Sequence, residues 1–127
     1  MENNINGLPS DEKLKSRKVI GQIFDEKKSV FKFPLNCLYI ISEDNQKPKM
    51  TSVASKRNFK KAVDRNLIKR RIREAYRLNK SILEEESPSR HLNIIFVYVG
   101  KDIMHFKEIE SSMVHILSTL NRQLSKV

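Results

Sequence analysis

The residues able to do chemistry crowd into one stretch. Between Lys56 and Lys80 there are eleven Lys and Arg side chains, at positions 56, 57, 60, 61, 65, 69, 70, 71, 73, 77 and 80, against two acids, Asp64 and Glu74. That stretch carries +9 of the net +10 on the 127-residue chain, so the remainder is close to neutral. Cations gathered this tightly point to a polyanion, because neutralising phosphates releases condensed counterions. The pattern is the electrostatic footprint of a nucleic-acid site. A solvated helix face is the alternative, but such faces mix both signs to relieve repulsion between neighbours four residues apart. Here Arg65, Lys69 and Arg73 stack like charges, with Asn66 and Arg70 beside them.

Groups that make and break bonds are scarce. Gly7, Gly21 and Gly100 are the only glycines, so there is no Gly-rich phosphate loop, and no Ser/His/Asp or Cys/His set has a recognisable local context. Cys37 is the only cysteine, and His91, His105 and His115 are scattered, which gives neither a disulfide nor a zinc spacing. Glu84, Glu85 and Glu86 stand beside Ser87 and Pro88 in a loop-like stretch. No catalytic residue and no metal ligand are therefore expected in the protein, and any reaction would take its reacting groups from another molecule. There is no run of about 18 apolar residues, and the start MENNINGLPSDEK lacks the basic and apolar regions of a secretory signal. The expectation is a cytoplasmic protein with no membrane partner.

The elements that must hold the basic cluster can be read from periodicity. Residues 1–9, with Asn3, Asn4, Asn6, Gly7 and Pro9, read as a flexible start, which leaves 10–127 as a single domain. A first helix runs from Ser10 or Ser16 to about Phe24. Ser suits an N-cap, Asp11 and Glu12 suit a first turn, and Val19, Ile20, Ile23 and Phe24 form an apolar stripe. Residues 29–33 make a short strand ended by Pro34, residues 35–41 a stronger one, residues 42–49 a turn and residues 50–55 a third strand. The basic stretch then opens a second helix, from Lys61 or Ala62 to Leu83. At 100° per residue Arg65, Asn66, Lys69, Arg70, Arg73 and Arg77 fall in an arc of about 140°, and Leu67, Ile68, Ile72, Ala75, Leu78 and Ile82 in the opposite one. Arg71 borders the apolar arc, where it is expected to snorkel.

After a break at residues 84–91, Leu92 to Val99 is an almost wholly apolar strand, the pattern of the middle of a sheet. Phe106, Ile109, Met113, Ile116, Leu117, Leu120 and Leu124 recur at helical spacing and make a C-terminal core helix. The order is helix, three strands, helix, strand, helix: an α+β fold with helices packed on one small sheet.

Taken residue by residue, the basic helix carries a pattern. Ser55-Lys56, followed by Ala62-Val63-Asp64-Arg65-Asn66-Leu67-Ile68-Lys69-Arg70-Arg71-Ile72-Arg73-Glu74, resembles the signature of the bacterial ribonuclease P protein subunit. Leu14, then Ile20, Ile23 and Phe24, then Ser29 and Leu38-Tyr39 fit the same family's first helix and second strand. The resemblance spans about Leu14 to Leu120. It departs at Ile20, where the family often has an aromatic, and at Leu67, where many members are basic. The loop before Ala62 is one residue longer and carries Phe59-Lys60 where a Gly is common.

The resemblance implies a single-domain α-β-β-β-α-β-α sandwich with a four-stranded sheet and a left-handed βαβ crossover (ribosomal protein S5 domain 2-like), where the general rule for parallel crossovers gives the right-handed form. It implies a protein that joins a large catalytic RNA, as a monomer in a 1:1 complex, and helps it remove the 5′ leader of precursor tRNA. That hydrolysis is Mg2+-dependent, with the metal held mainly by the RNA. Carried onto this sequence, Lys56, Arg57, Arg65, Asn66, Lys69, Arg70 and Arg73 would bind the catalytic RNA, Arg through its bidentate fork. A cleft between the first helix and the sheet, offering Ile20, Phe24, Tyr39, Val53 and Ser55, would take the single-stranded leader, whose bases stack on aromatic faces with little sequence preference. Core packing is an equal reading of Phe24, whereas the Tyr39 hydroxyl favours a wet edge. A non-catalytic RNA chaperone or ribosome-associated RNA-binding protein would use the same helix without a leader cleft.

Overall fold

A computed structural model describes residues 8–45, 47–84 and 87–125. A 3-10 turn at Ser10–Glu12 leads to helix α1 (Arg17–Glu26), then strands β1 (Ser29–Lys32), β2 (Leu35–Ile41) and β3 (Lys49–Ala54). Helix α2 (Ala62–Asn79), a single turn α3 (Ser81–Glu84), a 3-10 turn at Ser87–His91, strand β4 (Leu92–Tyr98) and helix α4 (Phe106–Ser125) complete the chain. Of the two caps expected for the first helix, Ser16 is the one used: its Oγ accepts from the Val19 N–H at 3.2 Å. Ser10 instead opens the 3-10 turn. Lys27 closes α1 in the left-handed conformation, its N–H donating to the Ile23 carbonyl. Leu8 is buried, so the flexible start expected over 1–9 does not reach it; residues 1–7 lie outside the described residues, as do Glu85 and Glu86.

The strands form one sheet in the order β1-β2-β4-β3. β4 is antiparallel to β2 and parallel to β3, so α2 is the crossover of a parallel pair. α2 and α4 pack together on one face, and α1 packs on β2 and β4 on the other. Pleating sorts the strand side chains between the two layers. Val30, Leu35, Cys37, Tyr39, Met50, Ile94, Phe96 and Tyr98 face α2 and α4; Leu38, Ile40, Ile95 and Val97 face α1. In β4, Ile94, Ile95 and Phe96 are all fully buried, as its unbroken apolar run predicts.

Ile68, Ile72, Ala75 and Tyr76 of α2 meet Ile109, Met113, Ile116, Leu117 and Leu120 of α4 in the main core. Truncating a fully buried Ile such as Ile72 to Ala would cost about 2–5 kcal/mol. The buried stripe of α2 is turned from the predicted one. Tyr76 is fully buried, whereas Leu78, expected in the core, is 51% exposed. The stripe centres roughly 50° nearer to Arg65 and Lys69 than hydropathy alone gives. Tyr76 takes the place because its ring packs on Phe96 at a centroid distance of 5.9 Å, burying more apolar area than a Leu offers.

Candidate nucleic-acid interface

Rotation of the buried stripe decides which cations of α2 face outward. Asn66 and Arg70 are exposed, while Arg65, Lys69 and Arg73 lie half-buried along the flank. The helix starts at Lys61 with no side-chain cap. Among the described residues, Lys56, Arg57, Lys60, Lys61, Asn66, Lys69 and Arg70 make no side-chain hydrogen bond or ion pair within the protein. The charge of the six cations and the Asn66 amide are left for an external partner.

The loop entering α2 is fixed from three sides. Ser55 Oγ accepts from the Asn58 N–H at 3.3 Å, and the Ser55 carbonyl accepts from the Phe59 N–H at 3.1 Å. Phe59 is buried and packs on the Tyr98 ring at 5.8 Å. Arg65 reaches back from the first turn of α2, its Nη1 donating to the Phe59 carbonyl at 2.8 Å and the Lys60 carbonyl at 3.0 Å. Arg65, expected as a phosphate contact, thus also closes the loop that carries Lys56, Arg57, Lys60 and Lys61. Arg71 does not end in water as expected: its Nη1 donates to the Met104 carbonyl at 2.6 Å.

The far half of the basic row is neutralised from within. Arg77 is paired with Glu74, and its hydrogen bond holds the Glu74 carboxyl below the usual carboxylate range. Lys80 Nζ lies 2.5 Å from Glu12 Oε1. The +9 of the sequence therefore resolves into an outward-facing patch on the loop and the N-terminal half of α2, and a remainder in which Arg77 and Lys80 are paired with acids and Arg71 is tied to a backbone carbonyl.

On the opposite face of the sheet, α1 covers one end and leaves the other open. Leu14, Val19, Ile20 and Ile23 pack on Leu38, Ile40, Ile95 and Val97. At the edge of this contact Phe31, Asn36, Val97 and Val53 stand in register across all four strands. Phe31 is 59% exposed, and Phe33, in the turn after β1, is 53% exposed. Phe31 and Val53 at the two ends of this row are exposed, and Asn36 and Val97 between them are half-buried; exposed apolar side chains grouped in this way mark an interaction surface. It is continuous with the cations, because the chain runs from Val53 and Ala54 at the end of β3 through Ser55 directly into the basic loop.

The five residues expected to line a leader cleft are not all brought together. Ile20 and Val53 lie on the α1 side, Ser55 is exposed at the head of the basic loop, and Phe24 is exposed on α1 rather than packed in the core. Tyr39 is on the opposite face. It packs against the main core and its hydroxyl donates to Gln123 Oε1 of α4 at 3.4 Å, while burial, with Cys37 beside it, pushes its pKa up. The cause is strand parity: Cys37 and Tyr39 point to α4, Leu38 and Ile40 to α1. Phe31 and Phe33, which sequence reasoning missed, occupy the open end instead. Their signal was two aromatics at alternate positions on a short strand ended by Pro.

Among the described residues no group of three or more His, Cys, Asp or Glu side chains gathers in a way that could hold a metal ion. No described helix is long and apolar enough to cross a membrane.

Similarity to known proteins agrees with this geometry. A family model described as Ribonuclease P matches residues 8–121. The ribonuclease P protein component of Porphyromonas gingivalis is 36% identical over 112 residues, which cover 84% of this chain and 81% of that protein. The RNase P protein of Staphylococcus aureus has a similar structure, with a TM-score of 0.71 and 23% identity over 86% of this chain and 94% of that one. That of Thermotoga maritima gives a TM-score of 0.70 and 22% identity over 85% and 96% of the two chains. The two structures establish the likeness of fold, and the family match with the Porphyromonas relative establishes descent. The chain belongs to the ribonuclease P protein family, the protein components of a ribonucleoprotein endoribonuclease of tRNA processing.

Proposed function

We propose that this chain binds the catalytic RNA of ribonuclease P through the basic loop and the N-terminal half of α2, and lays the 5′ leader of precursor tRNA across the open end of the sheet. The observation that carries this is the continuity of the two surfaces. Lys56, Arg57, Lys60, Lys61, Lys69 and Arg70 make no internal ion pair, and the partly exposed row of Phe31, Asn36, Val97 and Val53 leads into their loop. Arg and Lys hold phosphates without reading sequence, and an apolar floor with an aromatic stacks bases of any identity. That combination suits a protein that must accept many precursors. Arg65, Asn66 and Arg73 border the same patch and belong to the contact, Arg65 also through its grip on the loop. Ile20 and Phe24 form the α1 wall of the leader path, and Val53 and Ser55 its end toward the cations. One chain joins one RNA, and the Mg2+ of the hydrolysis is held mainly by the RNA.

The test is reconstitution. The purified chain is added to a bacterial ribonuclease P RNA at low Mg2+, and cleavage is measured for precursor tRNA with leaders of one and of several nucleotides. Stimulation that grows with the leader is expected. Tight RNA binding without any stimulation would overturn the proposal in favour of an RNA chaperone or ribosome-associated role.

A further inference from the structure

The N-terminal segment passes from one face of the sheet to the other. Leu8 is buried in the core beneath α2 and α4, whereas Leu14 belongs to the separate core on the α1 side. Between them the chain rounds the outer edge of the sheet, where Lys13 bridges in parallel to Met50 of β3 and the Leu14 N–H donates to the Met50 carbonyl at 2.9 Å. Midway along this passage Glu12 is only 5% exposed. Its Oε1 lies 2.5 Å from Lys80 Nζ, at the C-terminal end of α2, and its Oε2 lies 3.9 Å from Lys47 Nζ. Lys47 also pairs with Asp11 at 3.2 Å.

A buried ion pair gains little stability over well-packed apolar residues, because both charges lose their hydration. What it does supply is position, since a buried carboxylate tolerates few places other than against its cation. Four residues after Glu12, Ser16 caps α1. The point at which Glu12 is held therefore fixes where α1 begins, and of the side chains that join α1 to the sheet only Leu14, Ile23 and Ile95 are buried, the rest being partly exposed. The same contact withdraws Lys80 from the outward basic row.

We infer that the Glu12–Lys80 pair is the joint that sets α1 against α2, making Glu12 a positioning residue for leader recognition. The inference rests on the reading above, in which α2 holds the catalytic RNA and α1 walls the leader path. Disturbing the joint should loosen the leader's wall while leaving the grip on the catalytic RNA intact.

The experiment uses holoenzymes assembled from the full chain and a bacterial ribonuclease P RNA. Kd is measured for a precursor tRNA bearing an eight-nucleotide leader and for mature tRNA, alongside the affinity of each chain for the catalytic RNA. Glu12→Gln and Lys80→Met should each reduce the preference for precursor by about fivefold, comparable to losing one base stack. Affinity for the catalytic RNA should stay within about twofold, since no phosphate contact is removed, and Lys80→Arg should retain the wild-type preference. Wild-type preference in both Glu12→Gln and Lys80→Met would overturn the joint, as would equal losses of precursor preference and catalytic-RNA affinity. A wild-type holoenzyme that does not prefer precursor would overturn the leader reading itself, and the joint with it.

Discussion

Arg65 separates two ways in which a cation can serve an RNA interface: touching a phosphate, or shaping the segment that does. Its Nη1 holds the carbonyls of Phe59 and Lys60 at 2.8 and 3.0 Å, and the loop so closed carries four exposed cations. A hydrogen bond from a charged donor contributes about 1.5–3 kcal/mol, enough for its loss to leave the tip of the loop disordered much of the time. Arg70 is the control, because it is exposed and makes no side-chain hydrogen bond or ion pair among the described residues. Arg70→Ala should lower the slope of log affinity against log salt by about 0.7–0.9, or roughly threefold in relative affinity between about 50 and 200 mM salt. Arg65→Ala should lower it by about twice that or more, since several loop cations lose their fixed places together. Arg65→Lys is decisive. It keeps the charge, but its stem is shorter and its ammonium is flexible and more strongly hydrated, without the rigid planar group whose Nη1 hydrogens are held against both carbonyls, so it should behave like Arg65→Ala. Equilibrium binding of the catalytic RNA to the four chains over a salt series measures both affinity and slope. Recovery of both by Arg65→Lys, or equal slopes for Arg65→Ala and Arg70→Ala, would refute the loop-closing role.

Two further outcomes follow from the placement of particular side chains. Phe31→Ala should leave the melting temperature nearly unchanged and weaken leader-bearing precursor by about 1–3 kcal/mol relative to mature tRNA, whereas Tyr39→Ala should lower stability and affect the two RNAs equally; calorimetry with paired binding measurements distinguishes them. Cys37 is fully buried and burial raises its pKa far above that of an ordinary thiol, so it should resist alkylation at pH 8 until the chain is unfolded, as mass spectrometry of iodoacetamide-treated protein would show.

Much of the fold was legible because its signals were local. Ser16 as a cap, the apolar repeats of α2 and α4, and the unbroken apolar run of β4 each depend on few neighbours. The basic face was legible because its sequence pattern and its charge agree. What failed depended on tertiary choices. In LNCLYII nearly every residue is apolar, so alternation could not say which parity faced α1, and Tyr39 was placed on the wrong side. Phe31 drew no notice because β1 is short and its burial alternates only weakly. Leu78 and Tyr76 exchanged places because ring packing on Phe96 turned α2. Charge counting could not see that Glu12, more than sixty residues away in sequence, compensates Lys80.

A contact map tests the central claim most directly. Single cysteines placed at Val63, at Leu78 and at Val114, which are 68%, 51% and 36% exposed, can carry an Fe-EDTA group beside the unreactive Cys37. Val63 lies on the outward face of α2 next to the basic loop, Leu78 near its compensated end, and Val114 on α4. In the reconstituted holoenzyme, hydroxyl radicals from position 63 should cut the catalytic RNA strongly at a few sites, and those from 78 and 114 only weakly. Equal cutting from all three positions, or strong cutting only from 78 or 114, would contradict the assignment of the RNA interface to the loop and N-terminal half of α2.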